Sequence, residues 1–360
     1  MGRRRRRPGR NDEILQGVLL VDKPEGLTSH EVCQLVKGRL RVGKVGHGGT
    51  LDPFATGLLP LLVNGATRLM PQLQGVDKVY EAVVRLGSRT DTMDPTGTVT
   101  SEADPSGVTE DDVRAQLELF RGTVEQTIPV YSAARVDGKR LYEYARAGEE
   151  VELPTKQIQI NEIELLSFEK ADDYIDVGLR VACSAGTYIR VLADDVGEGL
   201  GCHAHLFSLR RTQTGSLEMN TGIELDTILD QAAAWKDERI ARQEEEGIIV
   251  RFEPVENSRR WSDFLGKALV PVADLLGGVP TLRLPLETVK KVQSGKPLRK
   301  VDLRTLDPEN SLSFRPGDQL VLQDADGLRG VAVVRATCSS ESLARRESED
   351  IVLDVERVLR

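Results

Sequence analysis

The sequence predicts an α+β protein that ends in a small β-barrel, and two patterns support this fold class. Up to about residue 280, strands and amphipathic helices are mixed, and long connections separate successive strands. From residue 281 onward, short runs of alternating apolar residues are separated by turns, as in a small barrel. With 360 residues in the chain, we expect two domains, residues 15–279 and 280–360, behind a short N-terminal arm.

The first strand and helix of the main domain have clear signals. Residues 17–22 form an apolar run of strand length, followed by a Pro-Glu-Gly turn. Thr28 and Glu31 fit a capping box, which predicts a helix from there to about residue 40. Residues 58–63 are apolar and fit either a strand or a buried helical turn.

The middle of the chain alternates between strands and helices. Residues 78–87 alternate apolar and polar side chains, as a half-buried strand does, and a polar loop follows. Residues 109–120 have helical periodicity with three acids in the first turn. Residues 138–146 read as a basic, aromatic-bearing helix, and residues 151–168 as short strands.

The last part of the main domain ends in a charged segment. Residues 176–183 alternate like a strand, and residues 187–196 are typical of a helix. Residues 229–267 are dense in charge and helix formers, so we interpret them as an insertion outside the core. In the tail, turns are expected at residues 316–318 and 326–327.

Charge is distributed unevenly along the chain. The formal net charge of −9 gives no overall attraction for nucleic acid or acidic membranes. Basic residues cluster locally, which indicates either solvated faces or contacts for a polyanion. The clusters are residues 3–7; Lys37, Arg39, Arg41 and Lys44; Arg210 and Arg211; and Lys290, Lys291, Lys296, Arg299 and Lys300. Residues 1–14 contain the first cluster and are expected to form a disordered basic arm.

The cysteine pattern indicates a reducing compartment. The chain has four cysteines, all widely separated, with no CxxC pair, no signal peptide and no long apolar run. We therefore expect a cytoplasmic protein that does not associate with a membrane. Cys202, His203 and His205 lie close together but lack a second ligand pair at zinc spacing, so no metal or other cofactor is expected.

A glycine-rich stretch, residues 43–60, carries His47 and Asp52. Glycine permits tight backbone paths, and the Asp52–Pro53 pair favours a turn, so we expect a loop that presents both side chains. An acid in such a loop is often merely solvated. A phosphate-binding loop is another alternative, although the stretch lacks both the P-loop ending and the dinucleotide fingerprint.

Three more side chains could join Asp52. Tyr80 alternates with apolar neighbours on its predicted strand, where a core tyrosine is the simplest interpretation. Tyr188 and Arg190 follow a glycine turn at a strand end, where functional groups often lie, although Arg190 could equally be a surface side chain.

Taken together, these segments resemble the TruB family of tRNA pseudouridine-55 synthases. The matching segments occur in order between residues 16 and 279: 20–29 (LVDKPEGLTS), 46–57 (GHGGTLDPFATG), 78–82 (KVYEA), 86–94 (LGSRTDTMD), 131–133 (YSA), 183–190 (CSAGTYIR) and 209–212 (LRRT). The family often has Thr at the position of Gly48 and Ala at that of Thr50. The resemblance implies a pseudouridine-synthase-type catalytic domain with a mixed or antiparallel sheet and flanking helices. The tail resembles a PUA-type RNA-binding barrel.

The resemblance also implies roles for individual residues. Asp52 would be the catalytic aspartate, Arg190 its ion-pair partner, and Tyr80 a wall against the target base that takes part in proton transfer. The remaining site residues would bind substrate: His47, exposed to fill the space that the flipped uridine leaves; Tyr188 and Leu209, which would line the pocket; and Gly48 and Lys23. The glycines of the loop would then give clearance for an RNA strand.

The chemistry of the reaction fits these residue types. Isomerisation of uridine breaks an N-glycosidic bond and makes a C–C bond to the same sugar, which a carboxylate can assist as nucleophile or as electrostatic partner. The base must first be turned out of the folded RNA. We therefore expect an enzyme that modifies uridine 55 in the tRNA T stem-loop, acts as a monomer and needs no cofactor. An RNA chaperone with the same fold and a nucleotide-binding enzyme are the alternatives.

Overall fold

The computed structural model describes residues 15–247 and 254–272 continuously, and further along it describes shorter stretches. These are residues 275, 281–285, 288, 291–292, 294, 296–299, 316–317, 319–324, 330–336 and 350–358. The predicted arm, residues 1–14, and the predicted turn at residues 326–327 lie outside the described residues.

The described residues form an α+β structure, as predicted. The helices are α1 (Ser29–Leu40), α2 (Met70–Gln74), α3 (Glu110–Glu118), α4 (Leu141–Ala147), α5 (Ile189–Gly199), α6 (Leu225–Glu246) and α7 (Pro254–Leu265). The strands are β1 (Gly17–Lys23), β2 (Val45–His47), β3 (Thr56–Val63), β4 (Lys78–Leu86), β5 (Ser88–Thr90), β6 (Val99–Glu102), β7 (Gly122–Thr127), β8 (Arg135–Val136), β9 (Lys139–Arg140), β10 (Thr155–Lys170), β11 (Ile175–Cys183), β12 (Ala204–Thr214), β13 (Leu217–Glu218), β14 (Ile223–Glu224), β15 (Leu269–Val270), β16 (Thr281–Leu284), β17 (Leu298–Arg299), β18 (Gln319–Asp324), β19 (Gly330–Ala336) and β20 (Ile351–Val358).

A large mixed sheet organises the main domain. Its strands run in the order β14-β1-β3-β12-β4-β11-β10-β7, with β2, β13 and β15 paired at its side. Most neighbours are antiparallel, but β12 runs parallel to β3 and β14 runs parallel to β1. Because β12 lies between β3 and β4, it brings a late segment of the chain against two early ones.

The capping box predicted at Thr28 is confirmed, and α3 has a second one, at Thr109, that was not predicted. Thr28 caps α1 and Thr109 caps α3, each accepting a hydrogen bond from the backbone N–H three residues on. In both helices the acid at that third position bonds back to the cap, so two N–H groups of the first turn gain a partner. Residues 58–63, for which a strand and a buried helical turn were both possible, lie in strand β3.

Two predicted elements differ from the structure. The helix expected at residues 138–146 begins only at Leu141, because Lys139 and Arg140 pair with β8 in a short hairpin. The short strands expected at residues 151–168 form one long strand, β10, whose pairing with β11 contains two register shifts. These shifts interrupt the alternation that would have marked a single strand in the sequence.

The charged segment at residues 229–267 is not wholly outside the core, which corrects our interpretation of its packing. Trp261 and Leu265 of α7 are buried in the main apolar cluster, and α6 packs against α1. Trp235, Trp261 and Phe264 form edge-to-face contacts with ring centroids 4.7–5.9 Å apart. An apolar stripe on α7 was hidden in the sequence by the surrounding charges.

The tail contains a second sheet, with strand order β16-β18-β19-β20-β17. Its apolar side chains form a cluster separate from the main core, and the members include Leu282, Leu320 and Leu353. The predicted turn at residues 316–317 precedes β18. In the described part of the chain, no helix is both long and apolar enough to cross a membrane.

Candidate active site

Five of the eight predicted site residues line one cavity of about 440 Å³. They are Asp52, Tyr80, Tyr188, Arg190 and Leu209. The cavity lies where the glycine-rich loop meets β4, β12 and the start of α5. Its size suits a nucleoside rather than a folded RNA, so an RNA substrate would have to present a single extruded nucleotide.

The loop that carries Asp52 is fixed by its backbone. The Ser29 hydroxyl donates to the carbonyl of Leu51 over 3.0 Å and accepts from the N–H of Leu51 over 2.9 Å. The N–H of Gly26 donates to the carbonyl of Pro53 over 2.8 Å. The backbone on both sides of Asp52 is therefore held while its side chain stays partly exposed.

Lys23 supplies the strongest restraint on this loop. It is fully buried, and its ammonium group donates to the carbonyls of Pro24, Pro53 and Ala55 over 2.7–3.0 Å. Burial lowers the pKa of Lys23 to about 8, although the nearby Asp52 carboxylate opposes this shift. All three protons are used within the protein, so the predicted substrate-binding role of Lys23 is corrected to that of a residue that positions the loop.

Gly46 and Gly48 of the loop serve internal packing, which corrects the predicted clearance for an RNA strand at these two positions. A side chain at Gly48 would lie 3.0 Å from Leu73, and one at Gly46 would lie 2.5 Å from the end of Met70. Gly48 is itself buried and its N–H donates to the carbonyl of Pro60 over 2.9 Å. The absent side chains let the loop pack tightly on α2.

Arg190 forms the predicted ion pair with Asp52. Its Nε lies 2.8 Å from Oδ2 of Asp52, and the Arg190 side chain is 5% exposed. Its two terminal nitrogens donate to the carbonyls of Thr92 and Tyr131 over 3.0 Å each. These three partners hold the planar guanidinium in one orientation, and the guanidinium in turn directs the carboxylate.

Asp94 joins this group, although sequence reasoning gave it no role. Its Oδ2 lies 3.8 Å from Nη1 of Arg190, while its Oδ1 accepts hydrogen bonds from Thr92 and Thr96. Asp94 thus orders the loop whose Thr92 carbonyl holds Arg190, and it adds a second negative charge near the guanidinium. It belongs to the matching segment at residues 86–94, which was the available signal.

Tyr188 and Leu209 are placed by neighbouring strands. The amide of Gln126 on β7 accepts from the N–H of Tyr188 over 2.8 Å and donates to its carbonyl over 3.0 Å. Leu209 is the ladder partner of Ala82 on β4 and is mostly buried. The backbone of both residues is therefore held in place where their side chains line the cavity.

Tyr80 is on β4 and has its ladder partner, Arg211, on β12. Burial raises the pKa of Tyr80, and the Arg211 guanidinium opposes this shift. Arg211 also lines the cavity and was noted in the sequence only as part of a basic cluster. The sequence does carry a signal for Arg211: it lies two residues after Leu209, and this spacing places both side chains on one face of a strand.

His47 is half-buried and is not among the residues that line the cavity, which corrects its predicted exposure. It is paired with Leu61 where β2 joins β3. Burial lowers the pKa of His47, and the positive charge of Arg211 lowers it further. Both effects favour the neutral imidazole.

The histidines near Cys202 have partners within the protein. His203 lies 3.1 Å from the Glu198 carboxylate, and His205 lies 2.9 Å from the Ser88 carbonyl. Across the residues that the structure describes, no group of three or more His, Cys, Asp or Glu side chains could hold a metal ion.

Comparison with known proteins identifies the family. Residues 37–189 match the model of the TruB family pseudouridylate synthase N-terminal domain, and residues 190–276 match that of the tRNA pseudouridylate synthase B C-terminal domain. The chain is 48% identical over 221 residues to tRNA pseudouridine synthase B of Bordetella avium, covering 61% of this chain and 89% of the relative. The chain belongs to the TruB family.

A longer match includes most of this TruB-family chain. It is 40% identical over 326 residues to tRNA pseudouridine synthase B of Burkholderia lata, covering 91% of this chain and 89% of the relative. Family membership confirms the predicted activity, so this protein is an isomerase that forms pseudouridine in tRNA. The cavity joins both matched domains, because Asp52 and Tyr80 come from the first and Arg190 and Leu209 from the second.

Solved structures agree with this assignment of the TruB fold. The chain is similar to one in a crystal structure of a Cbf5-Nop10-Gar1 complex, with 28% identity, a TM-score of 0.57 and coverage of 96% of this chain and 85% of that one. It is also similar to one in an H/ACA RNP bound to a substrate RNA containing 2'-deoxyuridine, with 26% identity, a TM-score of 0.58 and coverage of 99% and 92%. The fold is therefore that of a pseudouridine synthase, with a large mixed sheet and flanking helices.

Proposed function

We propose that this enzyme isomerises uridine 55 in the T-loop of tRNA, with Asp52 as its catalytic aspartate. The observation that carries the proposal is the 2.8 Å ion pair between Asp52 and Arg190 at the wall of a nucleoside-sized cavity. Recognition of RNA loops depends on their shape and on bases that can be splayed out, which suits a T stem-loop.

The reaction begins when the target nucleotide turns out of the loop into the cavity. Tyr80 and Leu209 pack against the uracil. The neutral ring of His47 supports the tRNA loop next to the space that the uridine has left. Unstacking costs a few kcal/mol, which these contacts offset. The bound uridine then lies beside the Asp52 carboxylate.

Asp52 acts on the bond between the uracil and its sugar. The carboxylate serves either as a nucleophile or as the electrostatic partner of an electron-poor carbon while the N-glycosidic bond breaks. The uracil rotates within the cavity and C5 bonds to the sugar. Arg190 keeps the carboxylate oxygen aimed at the reacting carbon, and Lys23 keeps the loop in place.

One chain supplies every side chain used in this scheme, which supports action as a monomer. Cys33, Cys183 and Cys202 are buried free thiols, which supports the proposal of a reducing, cytoplasmic location. For the second sheet, residues 280–360, we propose a PUA-like barrel that contacts tRNA outside the T-loop. Its described cations Lys296 and Arg299 are exposed.

The choice of uridine is tested with unmodified tRNA transcripts. Purified enzyme is incubated with transcript in chelator, and pseudouridine is located by chemical modification and primer extension. We expect a single product at position 55, and none with a transcript in which cytidine replaces uridine 55. Product at another position, or equal product from the two transcripts, would contradict the proposed site.

The role of the tail is tested by deleting residues 281–360. Because fewer phosphate contacts remain, we expect tRNA affinity to fall about tenfold and its dependence on salt to become shallower, while the single-turnover rate at saturation changes little. Filter binding at several salt concentrations measures both quantities. Equal affinity and equal salt slope in the two proteins would count against the barrel as a tRNA contact.

A further inference from the structure

Arg211 is a buried cation at the wall of the catalytic cavity. Its residue is 1% exposed, and it lies directly opposite Tyr80 in the antiparallel pairing of β12 with β4. Side chains of directly opposed residues share one face of a sheet and touch. The guanidinium therefore lies beside the phenol, and a hydrogen bond joins the two groups.

In the described residues, Arg211 contacts carbonyl groups, and no carboxylate offsets its positive charge. Its Nε donates to the carbonyl of Leu58 over 2.8 Å, and its Nη2 donates to the carbonyl of Gly49 over 3.1 Å. None of the carboxylates in the described residues forms an ion pair with it, whereas the next residue, Arg210, pairs with Asp22 through two short contacts. Burying a cation without a counter-charge is costly, so Arg211 would gain from a neighbouring group that becomes negatively charged.

The phenol of Tyr80 is the group that faces this charge. Burial raises the pKa of Tyr80, and Arg211 from β12 opposes the shift both by its charge and by a hydrogen bond. Cys183 from β11 and Asp52 from the glycine-rich loop act in the opposite direction. Among the groups named here, Arg211 is the one that favours negative charge on the phenolic oxygen.

We propose that Arg211 is a positioning residue for Tyr80, and that its guanidinium stabilises the phenolate that removes the proton from uracil C5. This inference rests on the proposed function. Fixed to the carbonyls of Gly49 and Leu58, the guanidinium also holds the phenol relative to the loop that carries Asp52. Arg211 would thus align both Asp52, which acts on the glycosidic bond, and Tyr80, which takes the C5 proton.

The proton-transfer step balances as follows. After C5 has bonded to the sugar, it still carries its hydrogen, and the Tyr80 phenolate oxygen accepts that proton. The C5–H electron pair forms the C5=C6 double bond, the former N1=C6 pair moves onto N1, and N1 takes a proton from water. The hydroxide that this leaves takes the proton of the Tyr80 phenol in the next turnover, so the neutral phenol is the resting form and Arg211 stabilises the phenolate when it forms.

The test compares Arg211→Gln with wild type in single-turnover reactions at saturating enzyme. We expect the rate to fall about 10- to 100-fold with unchanged tRNA affinity, because assistance by a base is weakened. The rising limb of the rate against pH should move to higher pH, since loss of the cation raises the pKa of Tyr80. Arg210→Gln is the matched control, because it removes a cation from the adjacent position that does not line the cavity; its rate should stay within about twofold of wild type.

Rescue separates this role from a structural one. A fluorinated tyrosine at position 80 is a more acidic phenol of nearly the same shape, so it should restore part of the Arg211→Gln rate and move the pH profile back. If Arg211→Gln is not stably folded, Arg211→Lys tests the charge from the other side: because lysine keeps the cation, we expect its pH profile to stay close to that of wild type, and a shift to higher pH would contradict the role of the charge.

Three results would overturn the inference: no shift of the pH profile, no rescue by the more acidic phenol, or a loss of tRNA affinity with a shallower salt slope. The last would instead indicate a phosphate contact. Failure of the proposed function is distinguishable, because wild type itself would then make no pseudouridine at position 55.

Discussion

Asp52→Asn should abolish pseudouridine formation while leaving tRNA binding intact. The amide occupies almost the same volume as the carboxylate, and the loop is held by its backbone, so the cavity keeps its shape. What is lost is the negative charge that faces the sugar and pairs with Arg190. We expect a rate at least about 10⁴-fold lower, as when a catalytic group is removed from other enzymes.

Single-turnover release of label from C5 of uridine measures this effect, and filter binding measures affinity for the same tRNA. Asp176→Asn is the matched control, because Asp176 is also paired with an arginine, Arg85, but on a part of β11 remote from the cavity. Its rate should stay within about twofold of wild type. Undiminished product from Asp52→Asn would exclude Asp52 as the catalytic residue.

Arg190→Met should reduce both the rate and the stability. Methionine fills part of the volume but cannot donate to the carbonyls of Thr92 and Tyr131, which would lose their partner in the interior. The Asp52 carboxylate would also lose the group that orients it. We expect the rate to fall at least about 100-fold and the free energy of unfolding to fall by roughly 2–4 kcal/mol.

Urea unfolding and single-turnover assays at a temperature where both proteins are folded separate the two effects. Arg190→Lys tests geometry, because it keeps the charge but cannot reach three acceptors with a planar fork. We expect Arg190→Lys to recover little of the rate. Arg85→Met, which breaks an arginine–carboxylate pair outside the cavity, should leave the rate within about twofold.

Local signals in the sequence predicted much of the fold. The capping box at Thr28 marked the start of α1, because its hydrogen bonds join residues three positions apart, and the three acids after Thr109 marked the first turn of α3. The alternation along β4 likewise reports one buried face. Such signals fail where pairing is irregular, as in β10, whose register shifts break the period.

Sequence patterns alone predicted less of the candidate site than of the fold. Pairing of Asp52 with Arg190 came from the family resemblance, because no periodicity connects residues so far apart in the chain. Sequence also shows that Gly48 lacks a side chain but not that Leu73 occupies the space. Lys23 was misassigned for the same reason, since its burial depends on carbonyls contributed by the loop after Asp52.

The hydrogen bond from Arg211 to Gly49 joins residues 162 positions apart, and the one to Leu58 spans 153 positions. Contacts so distant in sequence form late in folding, because closing a long loop costs entropy before the contact rewards it. While the chain is being synthesised, Asp52 therefore emerges long before Arg190 and β12 can join it. A nascent chain that stops short of β12 has Asp52 but lacks Leu209 and Arg211, and so carries no complete pocket.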